Sequence, residues 1–173
     1  MKSIKQAFEA SNSLTPKEVF KHLLGHVPGM TFVTRRKTIA DDRQGIDYVV
    51  HRQGRRPLFV DLKEVTYFPS GNDRVLLETA MRGKRVTDGW AVDPKKKTDL
   101  VLIVRADGSH VLLSSRRVRE ALIRHRATWE KNKASKGSIS SPGFYEEFYS
   151  DFVLVDRKEL EAACDEIAED WKN

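Results

Sequence analysis

The sequence predicts an α/β protein in which helices flank a central mixed β-sheet. Three observations carry that expectation. An amphipathic stretch with a complete helix-start signal comes early, and short runs rich in Val, Ile, Phe and Tyr follow, separated by turn residues. An acidic stretch with apolar residues at helical spacing then closes the chain. Helices and strands in this order suit a sheet covered by helices, in an α/β or an α+β arrangement. The 173 residues suffice for a single domain with its own core and would cramp a second.

The first helix is announced by Thr15-Pro16-Lys17-Glu18. Thr15 serves as N-cap, Pro16 fits the first helical position, and Glu18 can reach back to the cap amide. Val19, Phe20, Leu23, Leu24 and Val27 make one apolar face, and Pro28-Gly29 stops a helix over 15–27. Residues 31–37, 45–51 and 58–65 read as strands, the last two joined by the turn Arg52-Gln53-Gly54-Arg55-Arg56. After a loop at Phe68-Pro69-Ser70-Gly71, residues 73–83 admit a helix. Residues 99–105 form a strand, Ala106-Asp107-Gly108 a turn, and 109–113 its hairpin partner. Ser114 to Arg126 reads as a basic helix, with Val118 and Leu122, and Ile123 beside them, facing inward. The segment 130–143 is rich in Ser, Lys and Gly, so it is expected to be a flexible loop or linker. Residues 152–155 form a last short strand and 157–171 an acidic closing helix.

Formal net charge is +6, unevenly placed. Residues 146–173 hold ten acidic and three basic side chains; residues 1–145 hold 28 basic and 15 acidic, a net of +13. A body that basic is relieved by a polyanion, of which nucleic acid is the commonest, or by its own acidic segment. Phosphate contacts are expected at Arg35-Arg36-Lys37 and Lys95-Lys96-Lys97, with further clusters at Arg52 to Arg56, Arg82 to Arg85 and Arg116 to Arg126. A plain solvated basic surface accounts for the charge about as well. The single cysteine, Cys164, excludes an internal disulfide and lies among Leu160, Ala163 and Ile167 as a packed thiol. No apolar run reaches the roughly 20 residues of a membrane span, and the N-terminus lacks a secretory apolar core. The expectation is a cytoplasmic protein without a membrane partner, DNA as partner, and room for a homodimer.

The chemistry is expected in the hairpin of 45–51 and 58–65. Strand alternation puts Phe59, Asp61, Lys63 and Val65 on one face and Leu58, Val60 and Leu62 on the other. A carboxylate and an ammonium in an apolar strand are costly unless each has a strong partner. With an odd-numbered loop centred on Gly54, facing residues have numbers summing to 108, and Asp47 faces Asp61 on the same side. Two like charges so placed destabilise a sheet, unless a divalent cation lies between them or Lys63 neutralises them. An even-numbered loop puts the acids on opposite faces. Carboxylate oxygens suit Mg²⁺ or Mn²⁺, which acidifies bound water and polarises phosphorus, while Lys63 can orient water or stabilise charge on the phosphate.

Asp47 followed by Asp61-Leu62-Lys63 resembles the motif of the PD-(D/E)XK nuclease superfamily, the fold of restriction endonucleases and Holliday-junction resolvases. The order of elements across roughly residues 15–122 is also similar. The resemblance implies a restriction-endonuclease-like central mixed sheet and Mg²⁺-dependent endonuclease activity. It further implies metal binding by Asp47, Asp61 and the Leu62 carbonyl, and a catalytic Lys63. Ile46 stands where the motif has proline. A Lys63–Asp61 or Lys63–Asp47 salt bridge in an ordinary hairpin is the competing account.

Glu18 and Glu9 are candidates for a further metal ligand, but Glu18 lies nearly opposite the apolar stripe and is expected to cap. His22 and His26, spaced i, i+4, read as surface histidines for want of a third ligand. Asp41 and Asp42 read as a solvated loop and Glu64 as rim. Tyr67 and Phe68, following the catalytic strand, can stack on a base or pack in the core, and Trp90 before the Lys95 to Lys97 run carries the same ambiguity. No nucleophile elbow, phosphate loop or dinucleotide fingerprint is present. The functional expectation is a nuclease hydrolysing DNA phosphodiesters. The alternatives are an inactive nucleic-acid-binding protein on the same fold and a protein-interaction module.

Overall fold

The computed structural model describes residues 14–36, 38, 40–41, 44–65, 73–82, 86–105, 107–138 and 148–170, with backbone alone at 64–65, 133–138, 148–149 and 169–170. In chain order the elements are α1 (Pro16–Leu23), β1 (Met30–Arg35), β2 (Tyr48–Arg52), β3 (Arg55–Val65), β4 (Arg74–Arg82), β5 (Val86–Asp88), β6 (Leu100–Arg105) and β7 (His110–Ser114). They continue with α2 (Ser115–Arg124), α3 (Arg126–Trp129), a 3-10 turn at Glu130–Asn132, β8 (Lys133–Ser138), β9 (Phe148–Asp156) and α4 (Arg157–Asp170). The protein is α/β, with a five-stranded mixed sheet and a separate antiparallel sheet among the described residues. Packing divides these residues into two compact units, one within 8–67 and 95–114 and one within 68–94 and 115–173.

The first unit holds the sheet β1-β2-β3-β6-β7, in which only β3 and β6 run parallel. Tyr48, Val50, Val60, Leu62, Leu102 and Val104 alternate onto one face and pack with Val19, Leu23 and Val27. The Tyr48 hydroxyl donates to the Leu14 carbonyl and ties the sheet to the approach of α1. Thr15 and Glu18 form the capping box: Glu18 N donates to Thr15 Oγ1 at 3.3 Å and Thr15 N to Glu18 Oε2 at 2.7 Å. The helix stops at Leu23, short of 27, because Leu24 turns extended before Gly25, leaving Leu24 64% exposed. β6 buries Val101 through Val104 on both faces, as a strand inside a mixed sheet does. Parallel pairing of β3 with β6 needs a long connection, usually a helix. Here the connection carries β4 and β5, strands of the other sheet.

The hairpin register is the decisive local feature. Arg52 pairs with Arg55 across Gln53-Gly54, and Gly54 takes φ 64°. A register shift between Val50 and Arg52 then makes Val50 face Leu58, Val49 face Phe59 and Tyr48 face Val60. The tight turn is thus two residues long, and the added residue of the bulge restores the sum of 108 that an odd-numbered loop predicts.

The second unit holds the antiparallel sheet β5-β4-β9-β8. Val75 and Leu77 of β4 lie buried opposite Val155 and Val153 of β9. The helix expected at 73–83 is corrected to a strand: Leu, Glu, Ala and Met favour helix locally, but cross-strand pairing with β9 decides. Within 130–143, expected to be a loop, Lys133–Ser138 pairs with β9. α2 packs against α4, and Leu160, Ala163, Cys164 and Ile167 are buried, with burial pushing the Cys164 thiol up to about 11. Ile123 faces outward, 73% exposed, correcting its inward assignment. The single central sheet is corrected to two, since the strands divide between two hydrogen-bonded ladders. No helix among the described residues is long and apolar enough to cross a membrane.

Candidate active site

Asp47 lies one residue ahead of β2, held by two backbone bonds. Its N–H donates to Val60 O at 3.0 Å, and its carbonyl accepts from Arg36 N at 2.7 Å. Asp61 sits inside β3. Both are buried, and their carboxyl groups are close enough to raise the proton affinity of Asp47. Asp47 Oδ2 also accepts the Leu62 amide at 2.8 Å. Lys63 Nζ lies 3.0 Å from Asp61 Oδ1, with its side chain 36% exposed and that of Asp61 6% exposed. The structure therefore brings Asp47, Asp61 and Lys63 together on one side of the sheet. Leu62 contributes its amide there, while its side chain belongs to the core.

Burial raises the Asp47 carboxyl to about 6, and the neighbouring Asp61 pushes it the same way, against the opposing pull of the Leu62 amide and Lys63. Two carboxyl groups so placed repel each other when both are ionised, and a proton on Asp47 or a cation between the oxygens relieves that repulsion. The donor set is hard and anionic, which fits Mg²⁺ or Mn²⁺ with water and phosphate completing the shell. No group of three or more His, Cys, Asp or Glu among the described residues is arranged to hold a metal, so such a cation would rest on two carboxylates.

The approach to Asp47 is fixed by the end of the Lys95 to Lys97 run and by Thr98, which sequence reasoning overlooked. Lys97 N donates to Gln44 O at 3.0 Å, and Thr98 Oγ1 donates to Gly45 O at 2.6 Å. Gly45 takes φ 70°; a Cβ there would fall 2.6 Å from Thr98 Oγ1, 3.2 Å from Lys96 Cδ and 3.8 Å from Asp61 Oδ2. Lys96 and Asp61 thus flank the same small space. The available signal was a hydroxyl residue, Thr98, directly after three lysines at the mouth of a buried strand. Ile46, in the motif's proline position, donates its N–H to Asp41 O at 2.9 Å, a bond proline cannot make.

Among the other candidates, Arg35 is half-buried, and exposed Arg36 lies 3.7 Å from Asp41. Lys95 and Lys97 are exposed and Lys96 half-buried. Lys37, Asp42, Glu9, Tyr67 and Phe68 lie outside the described residues, as does the Glu64 side chain. Glu18 caps α1 and takes no part in the site. Trp90 is buried, so it offers no exposed ring. His22 and His26 are joined by His110, whose Nδ1 lies 3.3 Å from His22 Nδ1 and whose ring meets His26 edge-on at 5.6 Å. Burial and the two neighbouring imidazoles lower the His110 pKa.

No family model, curated protein or solved structure matches the chain.

Proposed function

We propose that this protein is a metal-dependent nuclease of the restriction-endonuclease-like type that hydrolyses DNA phosphodiester bonds. The observation that carries the reading is the buried Asp47–Asp61 carboxyl pair with Lys63 Nζ at 3.0 Å from Asp61. The helix α1, the antiparallel β1-β2-β3 and the parallel β6 agree with the order the resemblance implies. Asp47 and Asp61 would hold Mg²⁺ or Mn²⁺, with the Leu62 carbonyl in the role the motif assigns it. Such a cation supplies Lewis acidity toward a phosphate oxygen and acidifies water. Lys63, half-exposed beside Asp61, orients water or stabilises negative charge growing on the phosphate. Lys95, Lys96, Lys97 and Arg36 supply cations for the DNA backbone.

The test is incubation of the purified chain with plasmid, branched and single-stranded DNA, with Mg²⁺, with Mn²⁺ and with chelator. Cleavage confined to the metal-containing reactions is expected. Absence of cleavage on all three substrates overturns the reading. The Asp61–Lys63 ion pair favours one second reading, an inactive nucleic-acid-binding protein whose acid cluster is structural. That reading predicts DNA binding with no cleavage and marked destabilisation on Asp61→Asn.

A further inference from the structure

Strand β1 is an edge of the five-stranded sheet. Phe32 pairs with His51 across it, and Thr34 with Val49. By alternation this is the face of Val49, Phe59 and Asp61, opposite the face packed on α1. The Phe32 and His51 rings are stacked, with centroids 4.1 Å apart and planes 14° from parallel. His51 is held at both ends: Thr34 Oγ1 lies 3.1 Å from its Nε2, and Thr31 Oγ1 donates to its carbonyl at 3.0 Å. Phe32 nevertheless remains 52% exposed. The result is an aromatic ring held in place by a tethered imidazole, with half its surface open to a flat partner.

We infer that the Phe32–His51 stack docks an unpaired nucleobase of the substrate strand, on the same sheet face as the acid pair. The inference rests on the nuclease reading for the identity of that strand and narrows its class to single-stranded segments. Bases inside a duplex already stack on one another, so only an unpaired base can cover this ring. From Asp47 to His51 is four strand residues, about 13 Å at roughly 3.3 Å per residue. About four nucleotides span that distance at the roughly 3.4 Å spacing of a stacked strand, and fewer if it is drawn out. The charges agree with this path. Arg36, exposed and 3.7 Å from Asp41, directly follows β1 at the site end of the edge, and exposed Arg55 pairs with Arg52, the residue after His51. The platform was not legible in the sequence, because Phe32 lies on β1 and meets His51 of the hairpin only through the sheet.

The test is fluorescence anisotropy of the full chain with labelled oligodeoxythymidylate and with a labelled blunt duplex, in chelator so that no cleavage is needed. Phe32→Leu should weaken single-strand binding by about tenfold, Phe32→Trp should restore it, and duplex binding should stay unchanged. Thermal unfolding of each variant checks that the exposed substitution leaves the fold intact. Equal losses on both probes, or single-strand binding by Phe32→Leu at the wild-type level, overturn the inference. So does wild-type protein with no affinity for the single strand. Failure of cleavage with intact stacking-dependent binding would instead count against the nuclease reading alone.

Discussion

Asp47 keeps its proton up to about pH 6 because burial and Asp61 both disfavour its carboxylate. The folded chain thus binds this proton more tightly than the unfolded chain, whose aspartates titrate near 3.8. Stability from this group is full below the unfolded value and is lost as pH rises through the folded one. In chelator, Asp47 should make the protein roughly 1 kcal/mol less stable at about pH 7.5 than at about pH 5. Urea unfolding of wild type and Asp47→Asn at both pH values isolates that contribution. Asp47→Asn should remove it, and Mg²⁺ should offset it in wild type at the higher pH. An identical pH dependence in the two proteins would mean that Asp47 titrates normally. The Asp47, Asp61 and Lys63 cluster was legible in the sequence because ionisable residues stand out in apolar strands. Thr98, Phe32 and His110 were not, because each meets its partner only after distant strands pair.

At the scale of elements, the site depends on how the loop before β2 is held. Gly45 has a positive φ, and its Cβ position is closed by Thr98 Oγ1 at 2.6 Å. Gly45→Ala should therefore destabilise the chain by roughly 1–3 kcal/mol through backbone strain alone, with a further loss from the clash. Denaturant unfolding would read that loss, and wild-type stability would contradict the geometry. The sequence left the hairpin register open between odd and even loops; the turn is even, two residues long, and only the bulge, which no residue pattern announced, restores the register of an odd loop. β4 and β8 were hidden for opposite reasons. Leu76-Leu77-Glu78-Thr79-Ala80-Met81 carries good helix formers, whereas Lys133-Ala134-Ser135-Lys136-Gly137-Ser138 has hardly any apolar side chain to mark a strand. Both become strands through their shared partner β9.

At the scale of the whole molecule, the charge division sets how the proposed DNA binding should respond to salt. With +13 over residues 1–145, DNA affinity should fall log-linearly as salt rises, and charge reversal at Lys95, Lys96 and Lys97 should weaken all sequences alike. Neutralising exposed acids of α4, such as Asp165 and Glu166, should strengthen non-specific binding, since they repel phosphates. Titrations at several salt concentrations check both, and a flat salt dependence would assign the basic surface to another partner. The α/β class was legible because both strand and helix periods occur along the chain; the division into two sheets was not, because sequence period does not say which strands pair. The acid pair is the centre of the account, and its most direct test is the Mg²⁺-dependent cleavage rate of wild type beside Asp61→Asn, with both shown folded by thermal unfolding. The predicted result is a loss of at least about a hundredfold in Asp61→Asn with the fold retained. Cleavage by Asp61→Asn at the wild-type rate would contradict it.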